Sequence, residues 1–303
     1  MRIALLLMRL MMMLVYAVPG FLLYKYKLIT NEGVRDIGKL LLYIILPAAI
    51  IKSYDLEFSL EMARGLLLSF ALSVLCLVLA VVLSRAVYRG KKPIEEFGSA
   101  FSNAGFMGIP LVTAVIGSHA VCYAAAFVAL LNVLQWTYGI FVMTGNKDAI
   151  SPKKILFNPI LISFALGVLL FVLPFRIPAF FSEILTTISA MNAPVAMLTV
   201  GAYLAQVSIK EMFTRRDGYF ASTIRLVAVP VATSLLLWIL PFGSAEMKLA
   251  TMILAAAPIG SNVAVYAQLY GGDYKKAVQE VVLSTVLSVA TMPLVIGMFE
   301  MLL

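Results

Sequence analysis

Apolar runs of about 20 residues recur along this chain without the apolar–polar alternation of a barrel strand, and nothing else in it constrains the fold as strongly. Wound as a helix, such a run crosses the roughly 30 Å hydrocarbon core of a bilayer. Within lipid, only a helix or a closed barrel satisfies its own backbone polar groups. Ten runs are read, at roughly 4–24, 36–53, 64–87, 96–117, 120–143, 157–175, 180–207, 219–240, 247–269 and 275–300. The first carries Arg9 and lacks a small-residue cleavage site, so it reads as a membrane helix and not a signal peptide. The expectation is an all-α polytopic membrane protein, one membrane domain over 1–303. Composition agrees: 62% of residues are hydrophobic and 13% charged, against about 45–50% and about 25% in soluble domains.

A net charge of +8 invites a nucleic-acid reading, but Lys and Arg sit in short connections between apolar runs, which is the orientation signal of membrane proteins. Sixteen fall in the odd-numbered connections and six on the opposite side, so those connections are expected to be cytoplasmic and both termini extracytoplasmic. The expected location is the plasma membrane, with no nucleic-acid partner. Cys76 and Cys122 lie inside apolar runs and read as small hydrophobes.

Two runs are interrupted. Pro110 follows Phe101-Ser-Asn-Ala-Gly-Phe-Met-Gly-Ile, and Pro258 precedes Ile-Gly-Ser-Asn262, 148 positions further on. Pro47 and Pro194 are offset by 147. Five runs per half, an odd number, turn a duplicated unit over in the membrane, so an inverted repeat (approximately 1–145 and 155–303) is expected, with crossed broken helices in runs four and nine. Taken singly, each proline reads first as a packing kink. Taken together, the breaks predict half-helix N-termini whose free N–H groups favour an anion, above all a carboxylate.

Candidate substrate-binding residues follow: Asn103, Gly108, Pro110, Pro258, Ser261 and Asn262. An amide there can bond a ligand oxygen or satisfy an opened carbonyl, with interhelical bonding as the competing role. Asn132 and Gln135, three apart in run five, are candidates for cavity lining or coupling. Arg225 reads first as a snorkelling side chain and second as an attractor of anions. Glu280, four residues after Lys276, is a candidate proton or cation site. Tyr266 and Gln268 are expected at the cavity mouth, and Asn192 near Pro194 is a further polar residue. A single histidine, His119, excludes a histidine metal cluster, and no phosphate-binding lysine loop supports ATP-driven pumping.

Asn103-x-x-x-Met107-Gly108-Ile109-Pro110-Leu111, Ala256-Ala257-Pro258…Ala267-Gln268-x-Tyr270, Leu46-Pro47-Ala48 and Asn158-Pro159 together resemble the auxin efflux carrier family, over essentially the whole chain. This chain looks like a prokaryotic-type member, because the plant PIN proteins' long central loop is reduced to about 13 residues. The resemblance implies crossed broken helices at a proline pair, a scaffold and a transport unit, an elevator-type movement and a homodimer. It also implies transport of small organic anions, mono- or dicarboxylates such as malate, malonate or auxin-like acids. The function expected is secondary active transport, and no enzymatic activity; the alternative is a sodium-coupled bile-acid-like symporter or an anion channel of the same architecture. No cofactor is expected, and proton or sodium coupling stays open. An intramembrane enzyme lacks a nucleophile–base pair here, and a carboxylate sensor would bind without flux.

Overall fold

The computed structural model describes residues 2–173 and 176–303, so the end of the sixth apolar run lies outside the described residues. The first half contains α1 (Arg2–Lys25), α2 (Asn31–Leu40), α3 (Leu46–Ser53), α4 (Leu60–Tyr88), α5 (Pro93–Ala100), α6 (Ile109–Val115), α7 (Val121–Leu134) and α8 (Ile140–Thr144). Short α9 (Pro152–Leu156) leads into the second half. There follow α10 (Pro159–Val172), α11 (Ala179–Ala190), α12 (Asn192–Gln206), α13 (Ile209–Thr214), α14 (Arg216–Thr223), α15 (Val229–Ile239), α16 (Ala245–Ala256), α17 (Asn262–Leu269) and α18 (Tyr274–Glu300). Among the described residues, six helices are long and apolar enough to cross a membrane: Ala4–Lys25, Leu60–Tyr88, Ser118–Thr144, Ala179–Gln206, Arg216–Ile239 and Tyr274–Glu300. The other apolar stretches are shorter or interrupted.

Polar residues at the run edges set where the helices begin. The Ser59, Ser244 and Asp273 side chains accept the N–H groups of Met62, Met247 and Lys276, and Asn158 caps α10 just before Pro159. Four π-turns interrupt the helices, at Leu41–Ile45, Ala104–Gly108, Gln135–Gly139 and Ile224–Ala228. Three of them end two residues before a proline: Pro47, Pro110 and Pro230.

The helices pack in two sets, and α1, α7 and α12 touch both. α1 lies against α12, and α3 against α10 and α11. α4 packs on α5, α7, α15 and α16, while α18 packs on α14, α16 and α17. Backbones touch between α1 and α12: the space for a side chain at Gly20 is filled by the Leu198 carbonyl, and that at Gly201 by the Ala17 carbonyl. Cys76 and Cys122 are free and buried.

Candidate functional site

α5 ends at Ala100 and α16 at Ala256, and both chains then run extended and cross. The Asn103 N–H donates to the Pro258 carbonyl at 2.8 Å, and the Gly260 N–H to the Phe101 carbonyl at 3.0 Å. These bonds make an isolated antiparallel bridge between Ser102 and Ile259. Gly260 suits this close contact, because a Cβ there would stand 3.0 Å from the Ser102 carbonyl oxygen and crowd it.

The first break therefore lies at 101–103 and not at Pro110. Pro110 sits in the first turn of α6, seven residues past the bridge, where the preceding π-turn absorbs its missing donor. Pro258 does lie in the break, and its carbonyl forms one of the bridge bonds. The paired centres, Ser102 and Ile259, are 157 positions apart rather than 148. Gly108 is also away from the ligand-facing side: it packs on α16, where an added Cβ would meet Leu254 Cδ2 at 2.6 Å.

The four half-helix ends are sorted by polarity. Both C-terminal ends converge on Arg225, which is 1% exposed. Its Nη1 donates to the Ser99 and Ala100 carbonyls at 3.1 and 3.2 Å, and its Nη2 to the Ala255 carbonyl. A cation there answers two negative dipole ends at once. Both expected roles for Arg225, snorkelling and anion attraction, give way to this one, because the guanidinium points inward and is spent on backbone.

The N-terminal ends face the other way. The helices resume at Ala104 and at Asn262, so the first N–H groups of each stand ahead of its own hydrogen-bond ladder. Asn103 and Ser261 flank the ends, 4% and 7% exposed, and Asn103 Nδ2 and Gln135 Nε2 are buried donors without a partner. Gln135 Oε1 accepts from Asn262 Nδ2 at 2.8 Å, which presents its own amide nitrogen as the free group. Asn132 lines the same space, although its Nδ2 is returned to the Val128 carbonyl of its own helix at 2.9 Å. Asn192 Nδ2 satisfies the Gly105 carbonyl at 3.0 Å, the opened-carbonyl role that an amide can take.

Above these groups opens a cavity of about 680 Å³ between the two helix groups. Asn103, Asn132, Ser261 and Asn262 form its floor, Phe106, Trp136 and Tyr266 an aromatic wall, and Thr199 and Tyr203 of α12 the facing side. Arg35 and Lys39 of α2 line it as well, and no Asp or Glu does. Lys39 pairs with Asp36 at 2.7 Å, whereas Arg35 has no ion-pair partner among the described residues. Gln268 lies in the lining too, as expected of the mouth. Arg35, Trp136, Thr199 and Tyr203 were not legible as site residues. Val34, Arg35 and Gly38 at helical spacing on α2 are a weak signal that one face looks into a cavity. Glu280 is not in this cavity. It lies behind the crossing, and Lys276, expected to neutralise it, donates instead to Glu95 at 2.6 Å.

A helical protein with membrane-crossing helices, two of its helical stretches broken and crossed at the floor of a polar cavity, is built as a membrane transporter and not as an enzyme. The chain belongs to the membrane transport protein family, whose model matches residues 5–296. This is the auxin efflux carrier-like family that the motifs around Pro110 and Pro258 resemble. Relatives include a protein of Rhizobium meliloti (strain 1021) named "Putative malonate transporter", 24% identical over 278 residues, covering 86% of this chain and 85% of the relative. An "Uncharacterized transporter" of Methanothermobacter thermautotrophicus is 23% identical over 295 residues, covering 93% of this chain and 94% of its own length.

Proposed function

We propose that this protein is a secondary transporter of small organic carboxylates, and that the crossing binds the carboxylate. The observation that carries the reading is a pair of buried amide nitrogens without a partner, Asn103 Nδ2 and Gln135 Nε2, beside the half-helix N-termini, where Asn103 lines a cavity with basic but no acidic lining. Buried donors without acceptors are unfavourable by about 1–3 kcal/mol each, and an anion that accepts from them removes that penalty. Helix N-termini add a favourable field at the same point. The aromatic wall then suits the carbon skeleton of the substrate, and a small dicarboxylate leaves its second charge toward Arg35. Malonate, named for one relative, fits that arrangement and heads the list of substrates to try.

The movement we infer is of the elevator type. Ten spans arranged as two inverted five-helix repeats are supported by the paired breaks and by the odd number of apolar runs in each half. The cavity lies between α2 and α12 on one side and the crossing with α7 and α17 on the other, so movement of the crossing relative to α2 and α12 would carry the anion across. Arg35 and Lys39 lie in a connection assigned to the cytoplasm by charge, so the cavity opens to that side. Uptake of labelled malonate, malate and indole acetate into proteoliposomes tests the function. Saturable flux of one of them, competed by the unlabelled acid, is expected. Folded protein that moves no carboxylate would overturn the reading.

A further inference from the structure

Glu280 stands apart from every other carboxylate near the crossing. It is 1% exposed, and neither of its oxygens has a hydrogen-bond partner among the described residues. Glu96, equally buried, is fully engaged by Arg85 at 3.2 Å, the Gly90 N–H at 2.7 Å and the Tyr138 hydroxyl at 2.6 Å. An ionised carboxylate without water or partners is unfavourable by several kcal/mol.

The small pocket beside Glu280 holds two cations, and both are taken. Arg215 donates to Gln279 Oε1 at 3.0 Å, and Lys276 to Glu95. A metal cation would need further oxygen ligands, and among the described residues no cluster of His, Cys, Asp or Glu supplies them, whereas a proton needs only the carboxyl itself. The remaining titratable groups around it are likewise engaged. Lys92, at the head of α5, pairs with Asp217 of α14 at 2.8 Å, the Tyr88 hydroxyl of α4 accepts from Ser99 Oγ at 3.3 Å, and Arg225 serves the carbonyls.

Glu280 is also fastened to the crossing. Ser284, one turn further along α18, accepts the Ile259 N–H at 3.1 Å, within the bridge itself. Gly98 of α5 packs against both: a Cβ there would meet Ile259 Cγ2 at 3.1 Å and Glu280 Oε2 at 3.6 Å.

We propose that Glu280 is a proton-binding site coupled to anion binding at the crossing, an inference that rests on the carrier reading above. The neutral carboxyl leaves no negative charge behind the first half-helix, and the crossing then holds an anion well. Loss of the proton to water through the Arg215–Lys276 pocket sets a charge there that opposes the anion. Anion and proton therefore bind together, and affinity falls as pH rises.

Malonate, malate and indole acetate binding to the purified full chain, measured between about pH 5.5 and about pH 8, tests this. A single linked proton changes affinity by up to about tenfold per pH unit. Wild-type affinity is expected to fall with rising pH, while Glu280→Gln keeps the acid-side affinity throughout. Infrared titration of the wild type should show a protonated-carboxyl band that Glu280→Gln removes. Ser284→Ala, which loosens the bridge but keeps the carboxyl and its charge, should keep both the band and the pH response. A Glu280→Gln protein with the wild-type pH dependence, or an infrared titration with no band assignable to Glu280, overturns the proposal. A wild type that binds no carboxylate at any pH overturns the carrier reading instead, and the infrared band then tests the proton site by itself.

Discussion

At the scale of single residues, the division of labour is between Arg225, which binds the protein to itself, and Asn103, whose amide nitrogen is left for something else. Arg225→Met strands the Ser99, Ala100 and Ala255 carbonyls in a buried place. Hydrogen bonds to a charged group are worth about 1.5–3 kcal/mol each, so a loss of about 3 kcal/mol or more is expected. Thermal unfolding in detergent should show it, with partial recovery in Arg225→Lys. Asn103→Ala should behave oppositely. Removing one donor to a carboxylate weakens binding about tenfold, a change of about 1.4 kcal/mol. The melting temperature should hold, because the bridge bond is made by the Asn103 backbone and survives the substitution. A ligand titration followed by thermal shift reads both quantities. Asn103 and Asn262 stood out in the sequence as polar side chains beside breaks in apolar runs, with interhelical bonding as the competing role. Arg225 was misread because its three acceptors come from segments about 30 and about 125 residues away, and no local pattern announces them.

At the scale of elements, prolines and breaks are different things. A proline removes one donor and crowds the carbonyl four residues back. The π-turns before Pro47, Pro110 and Pro230 widen the helix by one residue and absorb that defect without ending the helix. Only Pro258 coincides with an interruption. The reading of Pro110 as a crossing residue failed for this reason, while the small-residue segment 101–105 ahead of it was the true mark of the break. Glycines separate by their neighbours as well. Gly201 and Gly20 set the contact of α1 with α12, backbone against backbone, so Gly201→Val must push two helices apart. Overpacking of this kind is unfavourable by about 1–3 kcal/mol, and more where the obstacle is backbone. Gly38, with nothing within 4 Å of an added Cβ, is the control: Gly38→Ala should leave the unfolding temperature unchanged or raise it. Parallel unfolding curves of the two variants decide the point.

At the scale of the whole molecule, apolar run length was enough to foresee helices throughout, but not how they would group. Which helices face the cavity depends on contacts between distant segments, and the sequence carries those only as scattered polar residues. Arg35 shows the gap: among the Lys and Arg of the connections it is an orientation charge, yet in space it stands in the lining of the cavity above the crossing. Its place gives a prediction about the field of the whole cavity. A cation without an ion-pair partner, in a cavity with no acidic lining, raises the local concentration of anions, and low-dielectric walls focus its field. Arg35→Gln should therefore raise the KM for carboxylate uptake severalfold at low ionic strength, with little change in the maximal rate, because the crossing itself is untouched. The Debye length shrinks from about 30 Å at 0.01 M salt to about 3 Å at 1 M, so the difference between variant and wild type should fade as salt is added. Uptake rates measured across that salt range separate steering from direct contact. A KM penalty that persists undiminished at high salt would mean that Arg35 touches the bound anion, and the site would then extend from the crossing to α2.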